Sequence, residues 1–164
     1  FGPGRRWLSH GIAGNVLGGW ELDGIGTIST GRPFTVYLSN GVTNGAPSWP
    51  DQIASGHRSD ANRAHWYDPT AFVAPSTPRY GSEGRGVLYS PGFTNFDLSL
   101  AKNFSVWERL KAQFRVDAFN AFNHPQFGFP NQNLNTGNPA ATDTSITSTT
   151  TDNRDLQLSI RLQF

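Results

Sequence analysis

The sequence contains neither cysteine nor methionine among its 164 residues. Without cysteine, the chain can form no disulfide framework and no metal site with thiolate ligands. Because a translation product begins with methionine, the start at Phe1 leads us to expect a processed chain or a part of a longer one. The composition therefore points away from small disulfide-stapled domains and from thiol chemistry.

Long apolar runs and a strong net charge are also missing. No apolar stretch reaches the roughly 18 residues of a transmembrane helix, although strands of about 9–11 residues with every second side chain apolar could still cross a bilayer. The 13 basic and 12 acidic residues are dispersed along the chain and give a net charge of +1. This balance provides no electrostatic basis for a nucleic-acid partner.

Regular alternation is the clearest feature that the sequence does contain. In the closing stretch RDLQLSIRLQF, every second residue from Leu156 to Phe164 is apolar, and the residues between them are polar. A helix would spread these apolar residues around its circumference, whereas a strand places them all on one face. The pattern predicts a strand near 154–164.

Three other segments show the same period of two. Strands are predicted near 18–30, 93–103 and 110–119, from GGWELDGIGTIS, NFDLSLAK and LKAQFRVDAF. The alternation slips at Phe119, which predicts a bulge or a strand end there. Because only NFSVWER separates the two middle strands, we expect them to form a hairpin.

The predicted connections alternate in length. Residues 40–91 and 123–153 form two long loops, and the second loop includes the low-complexity stretch ATDTSITSTTTD. In an up-and-down sheet, both long loops lie on one side and the short turn lies on the other. Long outer loops with short inner turns are typical of outer-membrane barrels. The fold class predicted is therefore all-β, an antiparallel up-and-down transmembrane barrel.

Alternation by itself leaves two environments open for the apolar face, a soluble core or lipid. Regularly spaced charges on the polar face and aromatic residues near the short turn (Trp20, Phe104, Trp107 and Phe164) favour lipid. The predicted lipid-facing residues are Phe96, Leu98, Leu100, Phe114, Val116, Leu156, Leu158, Ile160 and Leu162. The predicted lumen-facing residues are Asp97, Ser99, Lys111, Gln113, Arg115, Asp117, Gln157, Ser159, Arg161 and Gln163.

The hairpin also allows a register to be predicted. If Leu100 lies opposite Ala112, Asp97 lies opposite Arg115 on the polar face. Opposite charges that face each other directly stabilise a strand pair modestly. We therefore expect an Asp97–Arg115 cross-strand pair.

Several blocks of the sequence resemble a known family. The stretches GGWELDGIGTISTGRPFTV, RYGSEGRGVLYSPGFTNFDLSLAKNF and ERLKAQFRVDAFNAFNHPQFGFPN precede a terminal LSIRLQF. In this order they resemble the end of the β-barrel of TonB-dependent outer-membrane receptors. Within that family they are most similar to the Oar-like subgroup, whose full members carry an N-terminal carboxypeptidase-regulatory-like domain.

The resemblance implies that residues 1–164 are the C-terminal portion of an outer-membrane barrel domain in a Gram-negative bacterium. Phe164 would be the C-terminal assembly signal at the periplasmic rim, both long loops would be extracellular, and WLSHGIAGNVLGG would be a periplasmic connection. The implied partners are outer-membrane lipid, the barrel-assembly machinery, the remaining barrel and plug, and TonB through an N-terminal part. Four strands cannot close a barrel, so we expect no stable closed monomer from these residues alone.

Catalysis, metal binding and cofactors are not expected. The four histidines (His10, His57, His65 and His124) match no strong metal spacing, although Asp60 and Asp68 follow His57. GSEGRG lacks the Lys-Ser/Thr of a phosphate-binding loop. The main alternative is a secreted β-sandwich that binds carbohydrate, with Trp49, Trp66 and Tyr67 stacking on sugar rings. The transported or bound ligand stays open.

Overall fold

The computed structural model describes residues 16–38, 48–107 and 110–164. In chain order its strands are β1 (Trp20–Ser29), β2 (Pro33–Phe34), β3 (Tyr37–Leu38), β4 (Asp51–Gln52), β5 (Phe72–Val73), β6 (Leu88–Tyr89), β7 (Phe93–Ser105), β8 (Lys111–Phe119), β9 (Asn133–Leu134) and β10 (Asp155–Gln163). Two short 3-10 turns cover Pro69–Ala71 and Pro139–Ala141. Across these ranges, no helix combines the length and apolar character needed to cross a membrane.

The long strands form one four-stranded sheet in the order β1-β7-β8-β10. Their ends lie within two residues of the segments predicted from alternation. The pairs β7–β8 and β8–β10 are antiparallel. In the β1–β7 pair, the Asn103 N–H donates to the Gly19 carbonyl (2.8 Å) at one end, and Gly26 lies against Phe96 at the other. All four strands therefore alternate in direction, which confirms the predicted all-β antiparallel fold.

Two glycines in β1 make room for large side chains of β7. A Cβ on Gly26 would lie 2.8 Å from the Phe96 ring, and a Cβ on Gly24 would lie 3.0 Å from a methyl group of Leu98. These glycines interrupt the apolar pattern of β1 in the sequence. In the sheet, the Phe96 and Leu98 side chains cover the gaps that the glycines leave, so the apolar face continues.

The register of the hairpin differs from the predicted one. Leu100 pairs with Val116, not with Ala112, so the strands are displaced by four residues relative to the prediction. Arg115 faces Ala101, and the expected Asp97–Arg115 cross-strand pair is wrong. The displacement keeps every side chain on its predicted face because four is an even number. β7 continues to Ser105, which shortens the turn and sets this register.

The chain divides into two compact units. The sheet unit comprises Phe1–Ile28, Thr94–Pro125 and Asp152–Phe164, and the loop unit comprises Ser29–Phe93 and Gln126–Thr151. The loop unit thus consists of the two long connections. Because the strands alternate in direction, both connections leave and rejoin the sheet at the same end. The predicted connection WLSHGIAGNVLGG lies mostly outside the described residues, as do residues 39–47 of the first long loop.

The loop unit has a hydrophobic core of its own. Its buried residues are Phe34, Val36, Leu38, Tyr67, Ala71, Phe72, Leu88 and Leu134. Both connections contribute, because β3 pairs in parallel with β9. The Tyr67 hydroxyl also donates to the Asn131 carbonyl at 3.0 Å. The low-complexity stretch takes part as well, since Ile146 is buried and its N–H donates to the Arg63 carbonyl.

A buried acid, Glu83, joins two parts of the loop unit. Its Oε1 accepts the Val36 N–H at 3.0 Å, and its own N–H donates to the Pro50 carbonyl. The neighbouring Gly81 is needed for this approach, since a Cβ there would lie 2.0 Å from the Pro50 oxygen. Glu83 Oε2 is buried without a hydrogen-bond partner among the described residues. Burial raises the pKa of Glu83 to about 7.

We predict that the loop unit loses stability as the pH rises towards 7. Between the unfolded pKa of 4.5 and the folded pKa of about 7, the native state holds a proton that the unfolded chain has released. The free energy of unfolding falls by up to about 3 kcal/mol once Glu83 is ionised in both the native and the unfolded state. Hydrogen exchange of the Val36 amide at pH 5 and pH 8, corrected for intrinsic rates, measures this difference. Glu83→Gln is expected to flatten the profile, and exposed Asp60→Asn to leave it unchanged. A Glu83→Gln profile parallel to that of the original protein contradicts the prediction.

Candidate functional site

One face of the sheet is a continuous apolar surface. Residues that are paired across neighbouring strands form rows, which we call levels of the sheet. At one level, Leu100, Val116 and Leu158 lie side by side on β7, β8 and β10. The adjacent levels place Leu98 with Ala118 and Leu156, and Phe114 with Ile160. Together with Phe96 and Leu162, every residue predicted to face lipid shares this face. The surface forms because a matched register aligns the apolar positions of neighbouring strands.

This apolar face is uncovered in the structure. Leu158 is 67% exposed and Ile160 is 73% exposed on β10, and Leu22 of β1 is 73% exposed. Soluble monomeric proteins rarely expose large contiguous apolar patches. The face therefore requires an apolar environment supplied from outside the described residues.

Lys102 is a charged residue on the apolar face. It lies between Leu100 and Phe104 on β7, directly opposite Phe114. Only 3% of Lys102 is exposed, because its ammonium group donates to the carbonyls of Val16 and Gly18. The same group lies 5.1 Å from the centre of the Trp20 ring and 5.5 Å from that of Phe104. The carbonyl dipoles and the aromatic rings thus stabilise the buried charge.

The opposite face is polar, and it contains all the residues predicted to face the lumen. On this face, Asp117 of β8 lies between Ser99 of β7 and Gln157 of β10. In the same way, Lys111 of β8 lies between Ser105 of β7 and Gln163 of β10. Arg115 donates to Asp117 of the same strand at 2.8 Å. Near the hairpin, Asn103, Lys111, Gln113, Arg161 and Gln163 line a depression of about 430 Å³.

Large aromatic side chains cluster at the hairpin end of the sheet. Trp20 opens β1, Trp107 lies in the turn, and Phe164 follows β10. Trp107 is 79% exposed and Phe164 is fully exposed. Exposed rings at the end of an apolar face are typical of side chains that lie at a membrane–water boundary.

The other end of β8 is closed by a turn built on two asparagines. Asn120 and Asn123 have positive φ angles of 49° and 51°, a conformation that asparagine tolerates better than most residues. The Asn120 side chain accepts the His124 N–H at 2.9 Å and donates to the His124 and Asp152 carbonyls. The Asn120 N–H donates to Asp97 of β7, at 2.8 Å. This asparagine turn therefore ties together the ends of three strands.

Sequence reasoning missed Lys102 and both asparagines as organising residues. A signal for Lys102 was present, since SLAKNF places a charge at the next apolar position after Leu100. The stretch FNAFN contains the pair Phe-Asn twice, three residues apart. Only the positive φ angles of the two asparagines show why asparagine is favoured at these positions. The backbone N–H and C=O of His124 both bond to the Asn120 side chain.

The residues considered for other chemistry do not converge. Asp60 is paired with Arg58 at 2.7 Å, and His57 contacts Ser55. In the ranges that the structure describes, no three His, Asp or Glu side chains are grouped to hold a metal ion. His10 lies outside these ranges.

The sugar-stacking prediction is wrong for Tyr67, which is buried in the core of the loop unit. Trp66 packs against the same core, and its indole N–H donates to the Tyr89 carbonyl at 2.8 Å. These two rings therefore cannot form the expected exposed platform together with Trp49.

An antiparallel sheet with one exposed apolar face, one charged face and aromatic residues at its rim defines a membrane-spanning β-sheet protein. Residues 1–157 match the family model described as "Outer membrane beta barrel domain". The chain belongs to this family of outer-membrane barrel domains. Comparison with curated proteins and with solved structures gave no match.

Membership in this family fixes the place of the protein in the cell. It is located in the outer membrane of a Gram-negative bacterium, in association with outer-membrane lipid, and its sheet is part of a barrel wall. This location replaces the alternative of a secreted carbohydrate-binding sandwich. In the described residues the sheet is open at β1 and β10, and a closed barrel needs about eight strands or more.

We predict that Asn120 is critical for the turn that closes β8. Asn120→Gly keeps the positive φ but removes the side-chain hydrogen bonds, which is expected to cost about 1–3 kcal/mol of unfolding free energy. Asn120→Ala is expected to cost about 1 kcal/mol more, because alanine is strained in the left-handed region. Urea unfolding of the full-length protein refolded in detergent measures both changes.

The exposed Asn135, which caps a loop through its side chain, provides the control. Asn135→Ala is expected to cost less than either change at Asn120, because Asn135 does not connect strands of the sheet. Equal stability of Asn120→Ala and Asn120→Gly would contradict a role for the backbone angle.

Proposed function

We propose that the chain forms barrel wall and extracellular loops of a TonB-dependent outer-membrane receptor or transporter, of the Oar-like subgroup. The observation that carries this proposal is the set of sequence blocks around β1, β7 and β8, which resemble the end of such barrels in content and order. Family membership and the two long connections at one end of the sheet are consistent with it. The ligand is not identified, and we assign the chain no catalytic role.

The two faces of the sheet have separate environments in this proposal. The apolar face, represented by Leu100, Val116 and Leu158, contacts lipid. The polar face, represented by Lys111, Arg115 and Arg161, lines the interior of the barrel. The two long connections, at the end of the sheet opposite the hairpin (the loop end), are extracellular. The exposed aromatic rings at the hairpin end lie at the periplasmic boundary, where tryptophan and phenylalanine are favoured.

The proposed partners follow from the same assignment. Phe164 and the alternating β10 are the signal that the barrel-assembly machinery recognises. The open edges of the sheet pair with further strands, because unpaired backbone groups are costly in lipid. A plug and a segment that contacts TonB belong to parts of the protein other than these four strands.

We predict that an arginine on the proposed lipid face impairs assembly. Leu158→Arg near the middle of β10 is expected to destabilise the inserted protein by about 2–4 kcal/mol, because the charge would lie in the bilayer. Gln157→Arg, one residue earlier and on the polar face opposite Asp117, is the matched control and is expected to change stability by less than about 0.5 kcal/mol. Urea titration of the full-length protein assembled in lipid vesicles measures both changes in stability. Equal losses for the two variants would contradict the assignment of the faces.

The dependence on TonB needs a separate experiment on the full-length protein. Chemical crosslinking in cells is expected to give an adduct with TonB that increases when ligand-containing growth medium is supplied. The same protein with its N-terminal TonB-contacting segment deleted is the control and is expected to give no adduct. A full-length protein that inserts correctly but never forms the adduct would refute TonB dependence while leaving the barrel assignment intact.

A further inference from the structure

Charges on the polar face are sorted along the strands. Towards the hairpin end the side chains are mainly basic (Lys111, Arg115 and Arg161), and Glu21, the second residue of β1, is an acidic side chain among them. Towards the loop end they are acidic: Asp23, Asp97, Asp117 and Asp155. The observed register sets this order, because it aligns Gln163 with Lys111 at one end and Gln157 with Asp117 at the other. The polar face therefore has two ends of opposite charge, which the balanced net charge of the chain conceals.

In the part of the chain that the structure describes, the two basic residues nearest the hairpin have no acidic ion-pair partner. Lys111 and Arg161 form no ion pair among the described residues, whereas Arg115 is paired with Asp117 at 2.8 Å. The described strands carry no acidic side chain at the levels of Lys111 and Arg161. Within the residues that the structure describes, Lys111 and Arg161 are therefore cations without an ion-pair partner.

The hydrogen-bonding groups at this end are predominantly donors. Lys111 lies opposite Gln163, and Arg161 lies opposite Gln113, so the two cations are diagonal neighbours about 7–8 Å apart at the backbone. The Gln113 amide nitrogen donates to Asn103 Oδ1 at 3.0 Å, which uses one of its two N–H groups. An ammonium, a guanidinium and a free amide N–H around one depression complement the oxygens of an anion.

We propose that the hairpin end of the polar face binds a small oxyanion, a carboxylate or a phosphate, through Lys111, Arg161 and Gln113. This inference rests on the proposed interior location of the polar face. The acidic residues around Asp117 repel the same anion, so binding is confined to the hairpin end. Along this part of the barrel wall, the charges thus favour anionic groups near the periplasmic boundary and cations near the loops.

The absence of cysteine from the chain allows a direct test with single cysteines. Gln163→Cys reports on the basic end and Gln157→Cys on the acidic end; both residues are exposed glutamines on the same face of β10. The full-length protein in outer-membrane vesicles is treated with an anionic and a cationic methanethiosulfonate of similar size. We expect the anionic reagent to react about tenfold faster than the cationic one at position 163, and the preference to reverse at position 157.

Competing anions then distinguish a binding site from a diffuse field. Inorganic phosphate or acetate is expected to slow the anionic reagent saturably at position 163, beyond the effect of chloride at equal ionic strength, and to have no such effect at position 157. Protection by either anion supports the site and identifies the preferred oxyanion. Lys111→Gln combined with Arg161→Gln is expected to abolish both the preference and the protection.

Two negative outcomes have separate meanings. If both cysteines react but phosphate and acetate act no more strongly than chloride, the oxyanion site is refuted and the assignment of the faces stands. If neither cysteine reacts while Leu158→Cys does, the polar face does not line a water-filled interior. That result refutes the proposed function together with the inference that rests on it.

Discussion

The backbone hydrogen bonds of the strands constrain everything else in this protein. In a bilayer, each N–H and C=O must find a partner within the protein, so strands are stable there only as part of a paired sheet. Pairing fixes the register, and the register decides which side chains share a level and a face. The apolar face, the ordered charges of the polar face and the asparagine turn at the end of β8 all depend on the alignment of β7, β8 and β10.

Local periodicity was sufficient to predict the long strands. Alternation in β10 has a single period and no interruption, so the direction of each side chain follows from the sequence alone. The register of the hairpin could not be predicted in this way, because displacements by any even number of residues preserve both faces. Turn geometry decides between such displacements, and the extension of β7 to Ser105 moved Asp97 away from Arg115. Residue patterns thus predict faces more reliably than cross-strand partners.

Local periodicity gave no information about the structure of the two long connections. Their polar, proline-containing sequence predicted loops, yet they share a hydrophobic core that includes Tyr67, Phe72 and Leu134. This core is assembled from residues distant in sequence and from strands of only two residues, which carry no periodic signal. Glu83 was equally inconspicuous, because burial, which raises its pKa, depends on tertiary packing. Ordered loops of this kind are recognisable only once their long-range contacts are known.

Lys102 carries an implication for the order in which the barrel is assembled. A lysine exposed to lipid is unfavourable, and the Lys102 ammonium group is stabilised here by hydrogen bonds to the carbonyls of Val16 and Gly18, which precede β1. The strand that carries the charge and the segment that stabilises it are separated by more than eighty residues. Insertion of β7 before this segment has arrived would leave an unshielded ammonium group at the membrane surface. The hairpin end of β7 is thus expected to enter the bilayer only together with the start of β1. Lys102 therefore couples the insertion of these two strands.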